Sequence, residues 1–164
     1  MSKLNIVRNT LETKSTDKWD YRFLRLAKEV STWSKDPSTQ IGAVIVNDER
    51  RVLATGYNGF PKGIEDTPER YADKEVKYDT VIHAEMNAIY NATYNGISLK
   101  DSTIYVFGLP VCHDCARGII QVGIKRVIMA ADNIPEKWIQ SFSKSLNLFV
   151  EAGIETEIDK EFQS

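Results

Sequence analysis

The sequence predicts an α/β fold: a mixed sheet of about five strands, flanked by helices, around one core. Three observations lead there. Short apolar runs of strand length alternate with stretches of helical periodicity from residue 83 onward, which implies parallel crossovers. Two apolar runs near residue 50 are close enough to form an antiparallel hairpin. The chain has 164 residues, which suits one domain, because a chain of that size buries roughly 70% of its unfolded surface.

In chain order, residues 1–16 are polar and without a period, and are expected to form an N-terminal extension to a domain spanning 17–164. Trp19, Phe23, Leu26, Ala27, Val30 and Trp33 recur at three- and four-residue steps, predicting an amphipathic first helix capped by Asp17. Ser34-Lys35-Asp36-Pro37-Ser38 is turn chemistry. The run Ile41 to Val46 predicts a buried strand, and Val52 to Tyr57 its hairpin partner. From Asn58 to Thr80 the pattern dissolves into Gly, Pro and charge, so a long loop is expected.

Helical periodicity returns at His83 to Tyr94, followed by a strand at Thr103 to Phe107 and a helix at Cys112 to Val122, which Gly123 ends. A strand at Arg126 to Met129 and a helix around Pro135 to Val150 come next, and the alternation at Ile154 to Ile158 predicts an edge strand. The stripe Trp138, Ile139, Phe142, Leu146 and Phe149 is expected to face the core.

Composition narrows the function. With 42% hydrophobic and 27% charged residues, the chain is too apolar and too nearly neutral for a disordered one. Formal net charge is -2 and the cations are scattered, which argues against an electrostatic footprint for long nucleic acid while leaving room for a small anionic substrate. Met1 to Lys18 has no apolar core of a leader, and no stretch approaches the roughly 20 apolar residues of a membrane span. A soluble, cytoplasmic protein without a membrane partner is expected. The two cysteines are three apart, a spacing that favours metal ligation over a structural disulfide.

The chemistry lies in His83-Ala84-Glu85 and Pro110-Val111-Cys112-His113-Asp114-Cys115. One neutral imidazole and two thiolates are what zinc prefers, and a fourth corner left to water makes such a site catalytic. Cys112 and Cys115 at a helix start face the same way. His83 and Glu85 turn roughly 200° apart on a helix, so both serve one site only if it lies end-on at the first turn. The two helix starts then meet at the metal, where their N-termini favour thiolate. Glu85 is the expected proton shuttle and not a fourth ligand. His113 is expected to point away from the metal.

Together the two motifs resemble the signature of zinc-dependent deaminases, with Val111 inserted between the proline and the first cysteine. The resemblance narrows to the deoxycytidylate deaminases of the cytidine deaminase superfamily. It rests on Ser34-Lys35-Asp36-Pro37-Ser38-Thr39-Gln40-Ile41-Gly42-Ala43, Gly56-Tyr57-Asn58-Gly59-Phe60-Pro61, His83-Ala84-Glu85-Met86-Asn87-Ala88-Ile89 and Ile119-Ile120-Gln121-Val122-Gly123-Ile124-Lys125, between about Tyr21 and Met129.

The resemblance implies a three-layer cytidine-deaminase-like fold and zinc-dependent hydrolysis of dCMP to dUMP and ammonia, supplying thymidylate synthesis. It implies that Asn58 meets the sugar, the backbone at Ala84 meets the pyrimidine edge, and Thr39 lines the base pocket. Lys35, Ser38 and Thr39 also suit a monophosphate chemically, being a cation and two hydroxyls on one turn; turn formation by Asp-Pro-Ser explains them equally.

Relatives are often homo-oligomers, dimers or hexamers, activated by dCTP and inhibited by dTTP with Mg2+. The matching effector segment here holds Gly56, Tyr57, Gly59 and Pro61, for which turn formation is the simpler alternative. Two departures stand out. Residues 64–71 carry no Cys or His for a second zinc, and Ala130-Ala131-Asp132 replaces an aromatic-bearing segment. The competing expectations are deamination of dCTP, cytosine, a riboflavin precursor or a tRNA adenosine, and a non-catalytic zinc-stabilised binding module.

Overall fold

The computed structural model describes residues 17–159 and Phe162. The expected extension over residues 1–16 lies outside them.

Helix α1 (Lys18–Ser31) starts where its cap predicts: the Asp17 carboxylate accepts the Trp19 and Asp20 N–H groups at 2.8 and 2.9 Å. It buries Phe23, Leu24, Ala27 and Val30. Trp33 falls beyond the helix end and does not join that stripe; it is 51% exposed and packs edge-on against Tyr57.

Strands β1 (Gly42–Val46) and β2 (Val52–Tyr57) form the expected antiparallel hairpin. Residues 58–80, expected as a loop, instead carry two short helices, α2 (Pro68–Ala72) and α3 (Lys74–Thr80). Their starts are chemically marked: Thr67 caps α2 ahead of a proline at its first position, and Asp73 accepts the Glu75 and Val76 N–H groups of α3. Each is too short to display a hydrophobic period, so only the caps betray it.

The remaining elements follow the expected order: α4 (Ala84–Tyr94), β3 (Thr103–Phe107), α5 (His113–Gln121), β4 (Arg126–Ala130), α6 (Glu136–Glu151) and β5 (Glu155–Asp159). The sheet order is β2-β1-β3-β4-β5. β1 is antiparallel to both neighbours, whereas β3, β4 and β5 run parallel through the α5 and α6 crossovers.

Two-residue alternation sorts each central strand between two cores. Val44, Val46, Tyr105, Phe107, Ile128 and Ala130 meet α1 on one face. Ala43, Ile45, Ile104, Val106, Val127 and Met129 meet the opposite core, to which α4, α5 and α6 contribute. The result is three layers, helix on sheet on helices.

Glycines set the closeness of the layers. A Cβ on Gly42 would lie 2.0 Å from the Ala27 carbonyl oxygen of α1, and one on Gly56 would lie 2.3 Å from the Ala88 nitrogen of α4. Helix α4 is also fastened to the free edge of β2, because the Asn87 and Asn91 amides, one helical turn apart, donate to the Tyr57 and Thr55 carbonyls at 2.8 Å each. Those carbonyls would otherwise be open to a foreign strand.

On the α1 side, Arg126 of β4 holds Asp20 through both carboxylate oxygens at 2.6 and 2.7 Å, and also reaches Glu157 of β5 at 3.1 Å. The Tyr105 hydroxyl donates to the same Asp20 at 2.7 Å. No helix among the described residues is long and apolar enough to cross a membrane.

Candidate active site

His83 is the N-cap of α4 and Cys112 the N-cap of α5, both in extended conformation, so each side chain projects beyond a helix start. Cys115 sits one turn into α5, where its N–H donates to the Cys112 sulfur at 3.5 Å. The end-on geometry inferred from the sequence is therefore realised: the two helix starts meet. His83 Nδ1 lies 3.4 Å from each sulfur, and the three ligand atoms all fall within 4.8 Å of one another.

This spacing fits zinc. Zn–S bonds of about 2.3 Å and Zn–N bonds of about 2.0–2.1 Å, set at the tetrahedral angle, place nitrogen and sulfur about 3.5 Å apart. The donor set, one imidazole and two thiols, is one that zinc takes with release of protons. The Cys112 thiol is drawn down to about 4 by hydrogen bonding from Cys115 and by His83, which makes it a ready thiolate. His83 is pushed up to about 9, chiefly by the Cys112 sulfur it contacts. The hydrogen bond that its thiol gives to Cys112, together with burial, raises Cys115.

Glu85 lies in the first turn of α4, 4% exposed, and its pKa is raised, mainly because burial penalises the carboxylate. It stands against the ligand group without belonging to it. His113 is turned away, as expected: its backbone N–H donates to Ser141 Oγ at 3.0 Å and its Nδ1 lies 2.8 Å from the same oxygen.

The inserted Val111 is fully buried and its carbonyl accepts from Ser145 Oγ at 2.7 Å. It pins the entry to α5 from below, while Pro110 faces the cavity.

His83, Glu85 and Cys112 lie on the wall of an open cavity of about 440 Å3. Of the residues expected to bind substrate, Ser38, Thr39 and Asn58 line it. Asn58 is heavily engaged: its amide donates to the Thr39 carbonyl at 2.8 Å and to Asp36 at 3.3 Å, and its Oδ1 accepts the Ile41 N–H at 2.9 Å. Both N–H bonds are thereby used, and only acceptor capacity remains for a ligand. Ala84 is fully buried, its side chain belongs to the core, and it is its neighbours His83 and Glu85 that reach the cavity.

Lys35 is a correction. It does not line this cavity; its ammonium pairs with Asp66 at 3.0 Å, with 66% of the side chain exposed. The inward cation is Lys77 of α3, which contacts Asp36 at 2.9 Å and Ser38 Oγ at 2.8 Å.

Among the residues expected to meet an effector, Gly56 is also corrected. It is buried under the α4 backbone and presents no surface to a triphosphate. Tyr57 is 41% exposed, Pro61 accepts the Ile64 N–H in a turn, and Gly59 forms a two-way bridge with Ile82 at 3.1 and 2.8 Å.

Sequence reasoning missed Tyr71, Lys74, Lys77 and Tyr78, which line the cavity from the two unforeseen helices. It also missed Lys137 and placed Trp138 wholly in the core. Trp138 packs partly on the core and partly lines the cavity. It begins the apolar stripe of α6, so periodicity alone could not separate it from Phe142, Leu146 and Phe149, which are buried.

Residues 17–131 match the family model described as the cytidine and deoxycytidylate deaminase zinc-binding region. An uncharacterized deaminase of Aliivibrio fischeri, encoded in the luxG 3' region, is 39% identical over 140 residues, covering 84% of this chain and 91% of that protein. The deoxycytidylate deaminase of Homo sapiens is 42% identical over 119 residues, covering 70% of this chain and 65% of that protein, so the match spans just under two thirds of the human enzyme. The apo crystal structure of the dCMP deaminase from cyanophage S-TIM5 shares the fold, with a TM-score of 0.69 at 23% identity over 88% of this chain and all of that one. The family-model match over residues 17–131, with a zinc-type ligand triad at two meeting helix starts inside it, makes this chain a member of the cytidine and deoxycytidylate deaminase family.

Proposed function

We propose that this protein hydrolyses dCMP to dUMP and ammonia with one zinc ion, held by His83, Cys112 and Cys115, and so supplies thymidylate synthesis. One observation carries the reading. Three ligands converge at the wall of an open cavity that two of them, His83 and Cys112, line, and a buried carboxylate, Glu85, stands beside them outside the ligand group. A purely structural zinc site closes its shell with a fourth protein ligand and needs no adjacent acid.

Zinc in this site supplies Lewis acidity, which makes water a competent nucleophile at neutral pH. Glu85 takes the proton that water loses and delivers it to the pyrimidine ring nitrogen as the C4–O bond forms. It then takes the proton of the new C4 hydroxyl and passes it to the amino nitrogen, which leaves as ammonia as the C4–N bond breaks and the C4 carbonyl forms. Its burial suits this work, because a carboxyl whose pKa is raised holds a proton more readily near neutrality and gives it back. Ser38 and Thr39 offer hydroxyls to the nucleotide, and Asn58 braces their backbone and accepts from the sugar. An effector nucleotide at Gly59 and Pro61 would reach the metal site through the bridge from Gly59 to Ile82, the residue before His83.

Replacing Glu85 by Gln tests the assignment. The expected variant binds one zinc ion by metal analysis, melts like the parent and loses about 100- to 10,000-fold in turnover of dCMP. Retained turnover would sink the proton-shuttle role; loss of the metal would make Glu85 a ligand. Ammonia release from dCMP, dCTP, deoxycytidine and cytosine, offered separately, tests the substrate, and turnover of any other in preference to dCMP overturns it.

A further inference from the structure

We propose that Lys74 and Lys137, which line the cavity from two different helices, are the residues that read the substrate's 5'-phosphate and separate nucleotide from nucleoside. The inference rests on the reading of the site as a nucleotide deaminase and assigns the charge selectivity that the reading requires.

The cavity is lined by three lysines, Lys74, Lys77 and Lys137, and by the carboxylates of Asp36 and Glu85. Their charges do not balance locally. Lys77 is neutralised by Asp36 at 2.9 Å, and with only 14% of its side chain exposed it is a fixture of the wall. Glu85 is buried beside the ligand group and belongs to that site rather than to the mouth of the cavity.

Lys74 and Lys137 are different. Both are exposed, and neither has a carboxylate partner or hydrogen bond among the described residues. Two unpaired ammonium groups therefore face one opening from different elements, Lys74 from the start of α3 and Lys137 from the start of α6. Mobile lysines in water gain little from a neutral nucleoside, whereas a phosphate dianion between them accepts charge-assisted hydrogen bonds from both. Lys35, the cation that the sequence offers for this task, does not line the cavity and is paired with Asp66.

The test uses the zinc-loaded protein, Lys74→Gln and Lys137→Gln singly and together, with Lys74→Glu and Lys137→Glu as charge reversals. Affinity for dCMP, dUMP and deoxycytidine is measured by calorimetry, and turnover separately. Each Gln variant is expected to weaken dCMP and dUMP about tenfold, or 1.4 kcal/mol, the double variant about 100-fold, and the reversals further still. Deoxycytidine binding, kcat and thermal unfolding should stay as in the parent.

Loss of dCMP and deoxycytidine affinity in equal measure, or no loss of either, overturns the proposal. If the parent turns over dCMP and the variants still prefer nucleotide, the lysine assignment falls alone. If the parent prefers nucleotide and the variants do not, but no base is ever deaminated, the lysines stand and the deaminase reading falls.

Discussion

Replacing Asp36 by Ala strikes the wall of the cavity at its hub. One oxygen accepts the Ser38 N–H and Oγ–H at 2.9 Å each and the Thr39 N–H at 3.2 Å; the carboxylate also takes Lys77 at 2.9 Å and the Asn58 amide at 3.3 Å. The side chain is 3% exposed. Removing it strands the Lys77 charge, 86% shielded from water, and frees the turn that carries Ser38 and Thr39. Breaking a buried pair by deleting one partner costs about 3–5 kcal/mol, so the variant should lose about 4 kcal/mol, or about 10 °C in Tm for a chain of this size.

Lys77→Met breaks the same pair from the other end but leaves Asp36 with its Ser38, Thr39 and Asn58 donors, so about 2 kcal/mol is expected. Urea unfolding followed by tryptophan fluorescence reads both. A loss under about 1 kcal/mol for Asp36→Ala, or a larger loss for Lys77→Met than for Asp36→Ala, would refute the hub.

The pH dependence has a definite sign. Burial alone would raise the Asp36 pKa, but the Ser38, Lys77 and Thr39 donors outweigh it and hold it below its ordinary value. The associated stability is present above about pH 3.9, the unfolded value, and is lost as the pH falls below it. Asp36→Ala should therefore flatten the acid limb of the parent's stability curve.

Gly56→Ala sets a methyl 2.3 Å from the Ala88 nitrogen and 2.5 Å from the Ala84 oxygen, both backbone atoms that cannot turn aside. A loss of about 3 kcal/mol is expected, with weakened zinc retention because α4 carries His83; unchanged melting and metal content would show that the layers have slack. Asp20→Ala leaves Arg126 with Glu157 at 3.1 Å and Glu155 at 3.6 Å, so the cost should sit near the lower end, about 3 kcal/mol, by equilibrium unfolding. Its kcat per folded molecule should match the parent; an altered kcat would mean that the α1 face communicates with the site.

The sheet and its long helices were legible in different ways: β1, β3 and β4 as short apolar runs of strand length, and α1 and α6 by a period of three to four. The metal triad was legible because ligand chemistry restricts residue type, and because helix geometry demands an end-on site for His83 and Glu85. Substrate recognition was less legible. Lys74, Lys77, Tyr78 and Tyr71 come to the cavity on two helices of seven and five residues, too short for amphipathic periodicity. Thr67-Pro68 and Asp73 do carry helix-start signals, and weighing caps above period would have found both. The direction of Lys35 is set by Asp66, thirty-one residues away, and no local pattern encodes that choice.

The same long-range logic explains how the triad keeps its spacing. His83 and Cys112 lie on separate elements, so a small slip of α4 against α5 would spoil a tetrahedral site. Each helix start is pinned independently of any metal. Gly56 seats α4 on β2, Asn87 and Asn91 tie it to the strand's outer carbonyls, and the Gly59–Ile82 bridge fixes the chain just before His83. On the other side, Ser145 of α6 holds the Val111 carbonyl and Ser141 holds the His113 N–H, bracketing Cys112 on both flanks. Ligand atoms placed by such pins sit near zinc distances without needing the ion to gather them, and the free energy of metal binding is then not consumed in ordering the chain. This also accounts for Val111: the added residue lengthens the entry to α5, and burying its side chain while Ser145 holds its carbonyl converts that length into a second fixed point.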